Sequence, residues 1–245
     1  MLLVLYGELM IGEEVFLNVL LVLLCYAYVL LVIVVSSRMD KILHISRKAS
    51  RKFLHAMIGN LPFIIPFFTA NIYPVLVAAP FILITFLASP YSPFTRISKK
   101  MKGLADITEE GHHFGLILYA FSYTLLALFF ASKPYVIAAG ILPMAYGDAA
   151  ASMVGERYGR RKYKLMADKS LEGSAAMFFA SFLSFTLSLA FFSLLYPFSF
   201  FGKISAAIAV AAVATIVEGF SPMGFDNLTV PILSALTFLL LNGGI

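Results

Sequence analysis

Apolar residues run along this chain in long unbroken stretches, separated by short polar segments. Crossing the hydrocarbon core of a bilayer takes about 20 helical residues. On that measure the candidate spans are residues 15–35, 53–70, 72–88, 114–131, 135–153, 174–196, 204–218 and 228–242. These runs are apolar on every face and lack the alternation that a membrane barrel strand requires. The second and third form an apolar hairpin, with Asn71 and Pro74 near its turn. The pattern predicts an all-α polytopic membrane protein, a single domain over residues 1–245 built as a bundle of about eight short transmembrane helices. The last two spans reach only roughly 22 Å each at 1.5 Å per residue. The polar turn between them therefore dips below the membrane surface, and interrupted helices with polar turns are a common way to build a site inside a membrane protein.

Composition supports this reading. Of 245 residues, 61% are hydrophobic and 13% charged, with a mean hydropathy of +0.92. Soluble domains average about a quarter charged. A disordered chain, an ordinary soluble enzyme and a disulfide-rich secreted domain are all excluded. The one cysteine, Cys25, leaves no intramolecular disulfide and no multi-cysteine metal site. The opening MLLVLYGELM has no basic region ahead of its apolar stretch and does not read as a removable signal peptide. The formal net charge is +5, but 16 of the 18 Lys and Arg residues fall in segments 36–52, 89–113 and 154–173. With eight spans those segments share one side, and Lys133 and Lys203 fall on the other. The bias orients the protein with its basic loops in the cytoplasm and both termini outside. It also explains the charge without a nucleic-acid partner.

The polar residues that could carry chemistry collect on the same cytoplasmic face. Asp148 lies between Gly147 and a run of alanines near the end of the fifth span, and Ser152 shares its helical face. A carboxylate in an apolar run faces a cavity or a partner. It either pairs with a neighbouring lysine or holds magnesium, which uses one or two carboxylates plus substrate phosphates. Asp226 and Asn227 precede the last span, where either can cap a helix or line a site, and Glu218 ends the span before. Lys169 precedes Ser170, a candidate N-cap, so a lysine and a helix N-terminus together make an anion cradle. Glu172 then falls in the first turn, where it also compensates the helix dipole. Gly155, Gly159, Arg160, Arg161 and Lys162 complete this loop. Arg47, Arg51 and His55 recur every four residues, either as an interfacial anchor or as a phosphate clamp. His112 and His113 adjoin Glu109 and Glu110, but no HExxH pattern or cysteine partner points to zinc. No GxxxxGK[ST] is present, which excludes a P-loop.

RKFLH (51–55), GDAAASMVGERYGRRKY (147–163), KSLEGS (169–174) and DNLTVP (226–231), in that order, resemble the CTP-dependent polyprenol kinases. These include dolichol and phytol kinases and are distantly related to phosphatidate cytidylyltransferases. The similarity runs over roughly residues 47–240. The family often has threonine where Ser170 and Ser174 stand. The resemblance implies a membrane enzyme with its active site at the cytoplasmic face, transferring the γ-phosphate of CTP to a polyprenol- or dolichol-type alcohol. It implies magnesium on the triphosphate, held by Asp148 and Asp226, with Glu218 as a third ligand. In the family the stretch matching 159–174 is associated with CTP binding, which assigns Lys169, Arg161, Lys162 and Glu172 to the nucleotide. Arg51 and His55 would guide phosphates or the hydroxyl, with Asn227 beside Asp226. Asp226 and His55 are both candidate general bases.

Two alternatives remain open. A cytidylyltransferase would make a CDP-linked lipid, although its longer C-terminal signature is not matched. A secondary transporter would need polar groups reachable from both faces, and the outer face offers few. Oligomeric state is left open by the sequence.

Overall fold

The computed structural model of the chain describes residues 2–43, 46–94, 96, 114–166, 168–222 and 224–242; for residues 2–11 and 40–43 it describes the backbone alone. His112, His113, Lys99, Lys100 and Lys102 lie outside the described residues.

Helix α1 (Leu2–Leu43) is a long apolar rod. Asn18, Cys25, Val29, Val32 and Ser36 form its buried stripe, while residues such as Leu23 and Leu30 point away from the protein. Ser46 caps α2 (Arg47–Ile58) by accepting from the Ala49 amide at 3.2 Å. The sequence pattern joins residues 53–70 into one span, and here the structure differs. Helix α2 begins earlier, among charged residues, and stops at Gly59. Two short 3-10 turns follow, Leu61–Phe63 and Ile65–Phe67. Pro62 and Pro66 supply no amide hydrogens, so a regular helix does not continue through them. The next run is split at Ala79 into α3 (Ile72–Ala78) and α4 (Pro80–Ala88).

Helices α5 (Gly115–Phe130) and α6 (Pro134–Leu142) follow. A π-helical turn, Pro143–Gly147, then leads into α7 (Asp148–Tyr158). A small antiparallel hairpin, β1 (Lys162–Lys164) with β2 (Asp168–Ser170), pairs Lys162 with Ser170 and Tyr163 with Lys169. It is an exception to the all-α expectation. Ser170 caps α8 (Leu171–Ser193), as the sequence leads one to expect, by accepting from the Gly173 amide at 3.1 Å. Helices α9 (Ile204–Phe220) and α10 (Asp226–Leu241) complete the bundle.

Four helical stretches are long and apolar enough to cross a membrane: Gly12–Met39, Pro134–Tyr158, Leu171–Ser193 and Phe201–Phe220. Three shorter apolar stretches accompany them, Ile72–Ala88, Gly115–Phe130 and Asp226–Leu241.

The core centres on α6, every residue of which is buried. It packs against α5, α8 and α10. A methyl group at Gly140 would fall 2.5 Å from the Pro231 carbonyl oxygen, so glycine is what lets α10 approach α6. Helix α9 contributes a small-residue stripe, Ala206, Ala207, Val210, Ala211 and Ala214, all buried. Small residues let helix backbones come close, which is how helices gain contact where the surrounding lipid is as apolar as they are. This rigid centre delivers α7 and the start of α10 to one end of the bundle.

Candidate active site

Segments distant in sequence meet at that end around a cavity of about 550 Å³. Helix α2 contributes Lys48, Arg51 and Lys52. Helix α7 contributes Asp148, Ser152 and Glu156. The hairpin contributes Lys162, Asp168 and Lys169, and the ends of α9 and α10 contribute Glu218 and Asp226.

Asp148 stands at the first residue after the π-helical turn. Such turns shift the register of a helix and are frequent at functional sites. Gly147, just before it, packs where a methyl group would lie 2.2 Å from the Ser181 hydroxyl. Asp148 is only 6% exposed. Its carboxylate accepts from the Lys52 ammonium in an ion pair. The neighbouring-lysine reading of Asp148 therefore holds in this structure, but the lysine itself lines the cavity.

A second pair lies opposite. Lys169, near the end of β2, donates to the carboxylate of Glu218, which is 2% exposed at the end of α9. Burial by itself lowers the Lys169 pKa, but the Glu218 carboxylate, helped by Asp148 and Asp226, outweighs it and holds the ammonium above its ordinary value. Asp226 is the first residue of α10, and among the described residues its carboxylate accepts from its neighbour, the Asn227 amide, at 3.0 Å. The residue ahead of the helix, Phe225, makes no side-chain cap. At the rim, Lys48 pairs with Glu156, which also accepts from Ser152 at 3.2 Å.

The hairpin is fastened to α7 by close backbone approach. A methyl group at Gly159 would lie 2.2 Å from the Gly155 carbonyl and 2.7 Å from the Ser170 hydroxyl. Glu172 accepts from the backbone amides of Arg160 and Arg161 at 3.2 and 3.3 Å.

The structure thus brings together Asp148, Asp226, Glu218, Lys169, Lys162 and Arg51, all expected from sequence. Four other expected residues lie outside the cavity lining. Glu172 is occupied by the loop amides and so shapes the hairpin. Arg161 is exposed, and its backbone is tied to Glu172 and Leu171. His55 is buried behind α2, its ring 5.0 Å from that of Tyr119. Asn227 is buried, with its side-chain amide directed to the Gly224 carbonyl at 3.4 Å and its own carbonyl accepting from Ser122. The basic stripe of α2 is divided: Arg47 is exposed, Arg51 lines the cavity and His55 is covered. Lys52, inside the RKFLH run, lines the cavity although the sequence pattern gives it no role. Lys48 and Lys52 form a second four-residue stripe beside the one containing arginine.

Three carboxylates supply the hard oxygen donors that magnesium prefers. Among the described residues no three His, Cys, Asp or Glu side chains converge tightly enough to cage an ion unaided. Two of the three carboxylates, Asp148 and Glu218, are paired with lysines.

No protein-family model matches the chain, and no solved structure does either. Curated proteins do. The chain is 39% identical over 145 residues to phytol kinase of Synechocystis sp., covering 57% of this chain and 60% of that protein. It is 30% identical over 149 residues to dolichol kinase of Saccharomyces cerevisiae, covering 57% and 27%. It is 26% identical over 212 residues to CTP-dependent diacylglycerol kinase 1 of Eremothecium gossypii, covering 76% and 64%. The chain spans less than two thirds of the length of each of these three relatives. A cavity of lysines and carboxylates at one end of an apolar bundle is thus found in a homologue of phytol kinase, dolichol kinase and CTP-dependent diacylglycerol kinase.

Proposed function

We propose that the protein is a CTP-dependent lipid-alcohol kinase whose active site is this cavity, opening to the cytoplasm between the basic loops of a multi-pass membrane protein. The observation that carries the reading is the paired arrangement Lys52–Asp148 and Lys169–Glu218, with Asp226 lining the same cavity. Each lysine is held at the site by a carboxylate. When a triphosphate enters, Lys52 and Lys169 turn to its oxygens, with Arg51 and Lys162 alongside, and the carboxylates are released. Asp148, Asp226 and Glu218 are then the groups that would hold magnesium, which supplies neutralisation of the triphosphate charge.

The alcohol oxygen attacks the γ-phosphorus, and the bond from that phosphorus to the β,γ-bridging oxygen breaks. CDP leaves with the electron pair. The hydroxyl proton passes to Asp226 or cavity water, since a loose transition state asks little of a base. Catalysis here is positioning and charge stabilisation, which suits a site rich in cations. His55, covered and packed with its ring beside Tyr119, is a positioning residue. Its neighbours Arg51 and Lys52 make the direct contacts. The alcohol stays in the bilayer with its hydroxyl at the headgroup level, and the nucleotide arrives from water.

Purified protein in detergent, given γ-labelled CTP, magnesium and an isoprenoid alcohol, is expected to yield labelled lipid phosphate and CDP. Release of pyrophosphate with a CDP-linked product would instead assign it to the cytidylyltransferases.

A further inference from the structure

The polar cavity has a buried end and a rim, and α7 runs from one to the other. Asp148 and Glu218 are almost wholly covered, whereas Glu156 and Asp168 are exposed. Helix α7 lines the cavity with Asp148, Ala151, Ser152, Gly155 and Glu156, and with Gly159 just past its end. These positions recur at three and four residues and make one continuous face. Along it Asp148 and Glu156 stand about 12 Å apart, at 1.5 Å per residue.

Between the two carboxylates that face is nearly bare, because Ala151, Gly155 and Gly159 project no more than a methyl group. Gly173 of α8 comes up beside it: a methyl group there would lie 3.3 Å from the Gly155 Cα. The floor next to Glu156 is therefore backbone, on which a flat ring can lie without meeting a side chain. Glu156 itself is held in direction. Lys48 pairs with it from α2, Ser152 donates to it at 3.2 Å, and both contacts fall on Oε1. Oε2 is the oxygen they do not use. Asp168, the other carboxylate at the rim, forms no ion pair among the described residues.

In the kinase reading the γ-phosphate meets an alcohol hydroxyl at the buried end, where Lys52, Lys169 and their carboxylates converge. The nucleotide enters from water, so its base stays toward the rim. Laid along α7 with its triphosphate at Asp148, it brings the base over Gly155 and Gly159, beside Glu156. Resting on that reading, we propose that Glu156 selects the base: Oε2 accepts a hydrogen bond from the exocyclic amino group of cytosine while the ring lies on the glycine floor. An ionised carboxylate accepts and does not donate. Uracil carries a carbonyl oxygen at the same place and meets repulsion there. Glu156 thus favours CTP over UTP, and Lys48 and Ser152 are its positioning residues.

The test compares three nucleotides on the full chain in detergent: CTP, UTP and the pyrimidinone analogue of CTP that lacks the amino group. Phosphoryl transfer to an isoprenoid alcohol and equilibrium binding are measured for each. Wild type is expected to lose at least about tenfold in kcat/KM on passing from CTP to either of the others, the scale of one hydrogen bond to a charged group. Glu156→Ala should treat CTP and the analogue alike. Glu156→Gln, whose amide also donates, should narrow the gap between CTP and UTP by about tenfold. A role for Glu156 in structure alone would lower the use of all three nucleotides together and keep their ratios as in wild type, which overturns the proposal. Wild type that uses all three equally overturns it too. Binding that depends on the amino group, without transfer from any nucleotide, supports the selector and removes the kinase reading. Transfer that ignores the amino group does the reverse.

Discussion

The two halves of the stretch Pro134–Tyr158 show how differently one continuous run of helix is used. The first half, α6, is wholly buried. Near its start Tyr135 packs ring to ring with Phe192, Tyr196, Phe198 and Phe238, and Phe238 packs in turn on Phe185 at 5.2 Å. The second half, α7, begins with a buried carboxylate tied to a lysine and borders a polar cavity. Between them the π-helical turn changes the register. The α6 half is held by dense contact, where loss of atoms leaves an empty space. The α7 half is held by charge pairs at the cavity. On the proposed function, substitutions around α6 are expected to change stability and substitutions at the start of α7 to change activity.

The largest effect is expected at the cavity end. Asp148→Asn should lower phosphoryl transfer by about a thousandfold, the scale on which removal of one charge-stabilising group acts. Steady-state assay with γ-labelled CTP measures it. If turnover stays within a few-fold of wild type, the division of labour between the two halves is wrong. Next comes the aromatic cluster. Phe185→Ala, at a fully buried ring, should cost roughly 3–5 kcal/mol and lower the thermal midpoint. Activity per folded molecule should be kept. A large loss of kcat at temperatures where that variant is folded would show that the aromatic cluster also shapes the site.

The smallest effect concerns pH. Lys169 has its pKa raised in the folded protein by Glu218 against the opposing effect of burial. A raised lysine contributes stability that is complete below its unfolded value of about 10.4 and is lost as pH rises through the folded value. Between pH 6 and 9 this pair should leave the melting temperature unchanged, and a decline tied to it should begin only above about pH 10. Lys169→Met with Glu218→Gln should remove that alkaline decline. A midpoint that falls between pH 7 and 9 in wild type but not in the double variant would contradict the assignment.

Much of this arrangement is legible in the residues. Runs of apolar side chains place most of the helices, and Ser170 announces the start of α8. The grouping of Asp148, Lys169, Glu218 and Asp226 follows from motifs that all sit at span ends. What is hidden depends on neighbours. Residues 53–70 read as one span because their hydropathy is continuous. Pro62 and Pro66 break the backbone without breaking the apolar pattern. The hairpin β1–β2 alternates charged residues with no apolar face, so nothing in its periodicity marks strands. Lys52 stands one position from the arginine stripe, and which stripe of α2 faces Asp148 is decided by how α2 packs on α7. The occupation of Glu172 by the Arg160 and Arg161 amides depends on the hairpin's turn back toward α8. Its place in the sequence suits a ligand or a helix dipole equally well.

Asp226 offers the most direct test of the account, because among the described residues its carboxylate is not tied to a lysine and its removal breaks no ion pair. Phosphate transfer from γ-labelled CTP to an isoprenoid alcohol would be measured for wild type and Asp226→Asn, together with the melting temperature of each. The account predicts labelled lipid phosphate and CDP from wild type, a drop of at least about a hundredfold in the variant, and an unchanged melting temperature. Transfer by Asp226→Asn within threefold of wild type would contradict it.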